Sequence, residues 1–203
     1  MTADFNNFKQ PICDIFSSNE LNRLYEEYII IESHWNRFFN KIDEINLVLL
    51  GEAPLNSEQF IYNPELKKDS SFLRHKDLSF ISAKLNATNE DTNRSLSRLE
   101  LMAELGILLV DLFPYPLDPK LHRKNFSNLQ VTSKKNLFLK SARWHLDPKL
   151  KILKARKSRS MKVAYRYKRL IDFRTEYLDN FLPICIGGKA MEINKDKFYE
   201  IFI

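Results

Sequence analysis

Cysteine is scarce in this 203-residue chain: Cys13 and Cys185 are the only two, and they lie far apart. That usage excludes a four-thiolate zinc or iron–sulfur centre and leads us to expect reduced thiols in a cytoplasmic protein. Glycine is almost as scarce, with four residues, which leaves no glycine-rich loop to cradle a nucleotide phosphate. No apolar run approaches the roughly 18 residues that a membrane helix needs; the longest are Ile45–Leu50 and Leu105–Val110. Met1–Gln10 carries Asp4 and polar amides instead of an apolar signal core, so secretion is not expected. No repeat appears at solenoid or propeller periods. His34, His75, His122 and His145 show no ligand spacing with cysteines or carboxylates, so no metal and no other cofactor is expected.

What is present is ordinary globular material, 44% hydrophobic and 29% charged, with fifteen Phe, eight Tyr and two Trp to fill a core. One domain over residues 1–203 is expected, as a monomer. The net charge of +6 is unevenly spread. Between Pro119 and Arg174 there are 18 lysines and arginines against two aspartates, a balance of +16, which leaves −10 for the rest. Such asymmetry points to a polyanionic partner, and nucleic acid is the expected one, with no membrane.

Along the chain, Leu21, Leu24, Tyr25, Tyr28, Ile31, Trp35 and Phe38 recur at helical steps and predict an amphipathic helix over Asn19–Lys41, with Asn19 and Asn22 as cap signals. Ile45–Leu50 and Ile107–Leu112 read as strands buried on both faces. A loop over Asn56–Ser71 separates the first strand from helices around Phe72–Leu85 and Asp91–Leu105, the second stopped by Gly106. Then come a helix over Lys134–Leu146 capped by Thr132 or Ser133, a strand over Lys149–Ala155, and a helix from Ser158 to about Phe173. Leu182–Ile186 is a short strand before Gly187, Gly188 and a last helix from Asn194. Strands alternating with helices imply crossovers, hence an α/β fold with a three-layer α/β/α arrangement around about four mainly parallel strands.

Ligands in such sheets bind beyond the carboxyl ends of the strands, here expected at Gly51–Pro64, Asp111–Asp118, Arg156–Ser160 and Gly187–Asn194. The first of those ends reads Leu49-Leu50-Gly51-Glu52-Ala53-Pro54. Gly51 allows close backbone approach, Glu52 projects at the crevice and Pro54 stiffens the exit; a solvated loop carboxylate is the plain alternative for Glu52. Tyr62 and Asn63 offer an aromatic face and an amide edge suited to a planar base. The plain alternative for Tyr62 is a ring packed under a turn. His145, beside Trp144, reads as packed or superficial, and His122 as part of a basic surface.

Gly51-Glu52-Ala53-Pro54 after a buried strand resembles the first motif of the uracil-DNA glycosylase superfamily, nearest its iron–sulfur branch. Gly106–Asp111 is similar to the strand that delivers a polar residue to that family's base pocket. The order of the later elements is similar over nearly the whole chain, and Gly-Glu-Ala-Pro with Tyr-Asn-Pro downstream resembles an uncharacterised glycosylase-like subgroup. The resemblance implies hydrolysis of the N-glycosidic bond of a flipped base such as uracil. Glu52 and Asp111 would be catalytic, and Gly51, Ala53, Pro54, Tyr62, Asn63, Gly187, Gly188 and Lys189 would form the base pocket. The chain departs from the family in three places: Ala53 stands where the most active members have Asp, the cluster cysteines are absent, and the loop after the last strand carries Lys189 without histidine.

For the backbone of the nucleic acid, the basic segment offers Lys134, Lys135, Arg156, Lys157, Arg159, Lys162 and Arg166. Cations in the first turns of helices are unfavourable unless an anion visits. Two other functions fit the same residues. One is a nucleic-acid-binding module without catalysis; the other is a hydrolase of a nucleotide or nucleoside.

Overall fold

The computed structural model of the chain describes residues 4–66, 73–85, 96–116, 129–165, 184–185 and 195–202. The elements are α1 (Phe5–Lys9), α2 (Ser18–Phe39), β1 (Ile45–Gly51), α3 (His75–Leu85), α4 (Arg98–Glu104), β2 (Ile107–Asp111), α5 (Val131–Lys154), β3 (Lys157–Tyr165), β4 (Ile184–Cys185) and α6 (Lys195–Glu200). The chain is therefore mixed α/β. No helix among the described residues is long and apolar enough to cross a membrane.

Helix α2 forms where the apolar spacing predicts it, and its stripe from Leu21 to Phe38 is buried except for Tyr25, which is half-buried. Its start is fixed by Ser17 rather than Asn19. The Ser17 hydroxyl and amide both donate to Glu20, and the Glu20 amide donates back to the hydroxyl, so two orphan amides are satisfied reciprocally. Ser97 and Glu100 build the same box at the start of α4.

The strands lie in the order β2-β1-β3-β4. β1, β3 and β4 run parallel, with Leu50 opposite Tyr165 and Tyr165 opposite Cys185. Strand β1 is buried at every position except Asn46, as its apolar run predicts. The turn into β2 depends on Gly106, which sits at φ +65°. A Cβ there would lie 2.3 Å from the Glu44 carbonyl oxygen. Asn46 donates its amide to Gly106 and its side chain to Leu105, so β1 begins against that turn.

The region after β2 corrects the sequence reading. Helix α5 runs on through Pro148 to Lys154, where a strand over Lys149–Ala155 is expected. Proline removes one backbone bond and costs about 3 kcal/mol in a helix interior. The buried row Phe138, Ala142, Leu146, Lys149 and Leu153 nevertheless keeps three- and four-residue spacing straight through it. Burial along that row outweighs the lost bond. The third strand is instead Lys157–Tyr165, so Ser158 lies within a strand and caps no helix. Its pairing is irregular at the start: Ile45 faces Lys157 but Leu47 faces Lys162. That bulge breaks the alternation which would have marked a strand in the sequence.

The chain divides into two compact units. One comprises Met1–Arg37, Glu52–Glu65 and Asp111–Ala155; the other comprises Phe38–Gly51, Leu66–Val110 and Arg156–Ile203. The first is cored by an aromatic cluster in which Phe8 meets Tyr28 at 5.1 Å, Tyr115 at 5.2 Å and Trp144 at 6.3 Å. The second holds the sheet, with α3 packed on α4 and α6.

Candidate active site

With β2 added on one side of β1, and β3 then β4 on the other, the order in which strands are added reverses between β1 and β3. The carboxyl ends at such a reversal are where α/β sheets bind ligands. Glu52 is the first residue after β1. It is no solvated loop carboxylate: the residue is 5% exposed. Its carbonyl oxygen accepts from the Phe113 amide at 2.9 Å, which ties the segment after β1 to the segment after β2. Lys134, four residues into α5, places Nζ 3.7 Å from Glu52 Oε1, with both side chains largely buried. Helix α5 has no acidic residue in its first turn and no side-chain cap, so Glu52 supplies an anion to a start that its own sequence leaves unneutralised.

Asp111 ends β2 half-buried. Its main-chain carbonyl lies 3.0 Å from His145 Nε2. A carbonyl only accepts, so the ring proton is on Nε2 and Nδ1 is left as a buried acceptor without a partner. Burial, reinforced by the nearby Lys149 ammonium, holds the His145 pKa well below the ordinary histidine range and keeps the ring neutral. His145 is thus packed, in keeping with one of its two sequence readings. It fixes the Asp111 backbone from one helix turn before Lys149.

Lys149 is likewise turned inward. Its ammonium pairs with Glu32 at 2.5 Å, both buried, and lies 4.8 Å from the Trp35 ring centroid. Glu32 was legible as a core position, since it follows Tyr28 by four residues on the apolar face of α2. The sequence reading passed over it.

The expected base-reading residues are engaged in their own loop. The Tyr62 ring is 2% exposed and meets Phe60 edge-on at 5.4 Å, so it offers no open face for stacking. Asn63 donates from Nδ2 to the Ser57 carbonyl at 3.0 Å and accepts the Glu65 amide on Oδ1 at 2.9 Å. Both ends of its amide are used to close the turn. Pro54 is buried and Ala53 half-buried. The Ser57 amide donates to Glu27 at 2.7 Å, tying this loop to α2.

The expected phosphate ligands fall into separate groups. Lys134 pairs with Glu52, while Lys135 is exposed on α5. Arg156 donates to the Phe39 and Ile42 carbonyls at 2.7 and 3.0 Å and stacks on the Phe39 ring, closing the end of α2. Such a guanidinium is a helix cap. Lys157 and Arg159 are exposed and Lys162 half-buried on the first part of β3. Lys157 faces Ile45 at the amino end of β1. Gly51 is six residues further on, about 20 Å away along the strand. The expectation that Arg156–Ser160 exits a strand beside the carboxyl ends is therefore corrected. Arg166, Gly187, Gly188 and Lys189 lie outside the described residues. No cluster of metal-ligating side chains occurs among the described residues.

The chain matches no protein-family model, no curated protein and no solved structure.

Proposed function

We propose that the protein binds DNA and acts as a glycosylase-like hydrolase, with Glu52 as the carboxylate that works on the N-glycosidic bond of an extruded base. The observation that carries this reading is a buried carboxylate immediately after the first strand of a parallel sheet, at its point of reversal, held by a lysine and joined by a main-chain bond to the segment after β2. A carboxylate so placed suits orienting or deprotonating water as positive charge develops on the sugar. The three-layer, glycosylase-like arrangement belongs to this proposal, as does a role for Asp111 at the same end of the sheet. Its test is incubation of the whole chain with single- and double-stranded oligonucleotides carrying uracil and other damaged bases. Abasic product that falls about 100-fold or more in Glu52→Gln supports the reading; no abasic product from any of them rejects it.

One observation favours a second reading. Tyr62 and Asn63 are sealed in their own loop and Glu52 is already ion-paired, which suits a fold that binds nucleic acid without excision. In that case Glu52→Gln leaves DNA affinity unchanged and neither form releases a base.

A further inference from the structure

The structure sorts the cations of the basic segment by what they touch. Lys134, Lys149 and Arg156 are spent on Glu52, Glu32 and main-chain carbonyls. Lys140, Arg143, Lys151 and Lys154 are exposed on α5, and among the described residues none of them has an ion pair. At 100° per residue these four fall within a sector about 80° wide and extend over roughly 21 Å of helix axis. Two of the pairs, Lys140 with Arg143 and Lys151 with Lys154, stand three residues apart, where like charges repel. Asp147, half-buried, is the one acid in the sector. The opposite side of the same helix is core: Phe138, Ala142, Leu146 and Leu153 are buried.

We propose that this face of α5 is the surface that docks the phosphate backbone of duplex DNA, through Lys140, Arg143, Lys151 and Lys154. It rests on the DNA-binding part of the proposed function and not on the excision chemistry. A rigid row of unpaired cations 21 Å long matches an anion that repeats along a line; one strand of B-DNA presents about six phosphates over that length. A membrane surface is disfavoured, because interfacial helices need an apolar face toward the lipid. Among the described residues, the exposed side of α5 carries one large apolar residue, Leu139, at 52% exposure. The lysines and arginine read as merely solvated would make no such distinction.

The test is fluorescence anisotropy of an undamaged, labelled 20-base-pair duplex with the whole chain, as a function of salt. Four phosphate contacts give a log–log slope of about −3.6, hence roughly 150-fold weaker binding at 200 mM than at 50 mM salt. Charge reversal in Lys140→Glu/Arg143→Glu/Lys151→Glu lowers affinity at least 100-fold and flattens the slope to about −0.9. The neutral triple replacement by Gln acts in the same direction and keeps the test open if the reversed form fails to fold. Asp147→Asn tightens binding, since it removes the one anion facing the phosphates. Wild-type affinity and slope in the triple variants overturn the proposal. So does tighter binding to vesicles containing 25% phosphatidylserine, or to RNA, than to the duplex. Absence of base release leaves it standing, because the duplex carries no lesion.

Discussion

The Glu32–Lys149 pair makes the sharpest energetic prediction. Both side chains are below one-tenth exposed and the oppositely charged atoms are in hydrogen-bond contact. At an effective dielectric of about 20 their attraction is roughly 7 kcal/mol, while removing each ion from water costs several kcal/mol. The two effects nearly cancel, so the pair as a whole adds little. Breaking it is another matter. Lys149→Met leaves a buried carboxylate, and Glu32→Leu leaves an ammonium facing the Trp35 ring and a neutral His145. Each single variant is expected to lose about 3–5 kcal/mol. For a chain of this size that is a fall of roughly 6–20 °C in midpoint. The double variant Glu32→Leu/Lys149→Met restores an apolar contact and is expected to be more stable than either single one. Urea and thermal unfolding of the four proteins measure the cycle. Additive losses, with the double variant worst of all, would show that the two buried charges do not depend on each other.

Two further outcomes follow from the same part of the structure and from the β1–β2 turn. His145 is held neutral, its folded pKa below the unfolded value of 6.5, so the unfolded chain takes up the proton first as pH falls. Stability from this group is full above 6.5 and drops by up to about 1.4 kcal/mol per pH unit below it; His145→Gln should flatten that slope in urea titrations between pH 7 and pH 5, and an unchanged slope would count against it. Gly106→Ala combines a positive φ with overlap onto the Glu44 carbonyl, and we expect a loss of roughly 3–5 kcal/mol in unfolding free energy.

The parts of the fold that could be read from sequence are those where one physical signal dominates. Helix α2 and strands β1 and β2 are marked by burial patterns that tertiary structure did not alter. The strand expected over Lys149–Ala155, just after Pro148, and the helix cap expected at Ser158 both fall where packing decides otherwise. The proline sits in a helix whose buried row continues past it, and the serine sits in a bulged strand whose exposed lysines and arginine hide its period. At the site, Glu52 and its position after β1 were legible from the Gly-Glu-Ala-Pro motif. Its partner Lys134 was not, because the pairing joins residues 82 positions apart and nothing local signals it. Tyr62 and Asn63 were placed in the right loop, but sequence cannot tell a ring offered to a ligand from one packed on Phe60.

In the proposed function Glu52 performs chemistry rather than holding the fold. Single-turnover release of free uracil from duplex DNA, measured for the wild type and Glu52→Gln beside their DNA affinities, tests it most directly. Equal affinity is expected, with release at least 100-fold slower in Glu52→Gln. Equal release by both proteins, or release by neither, would contradict it.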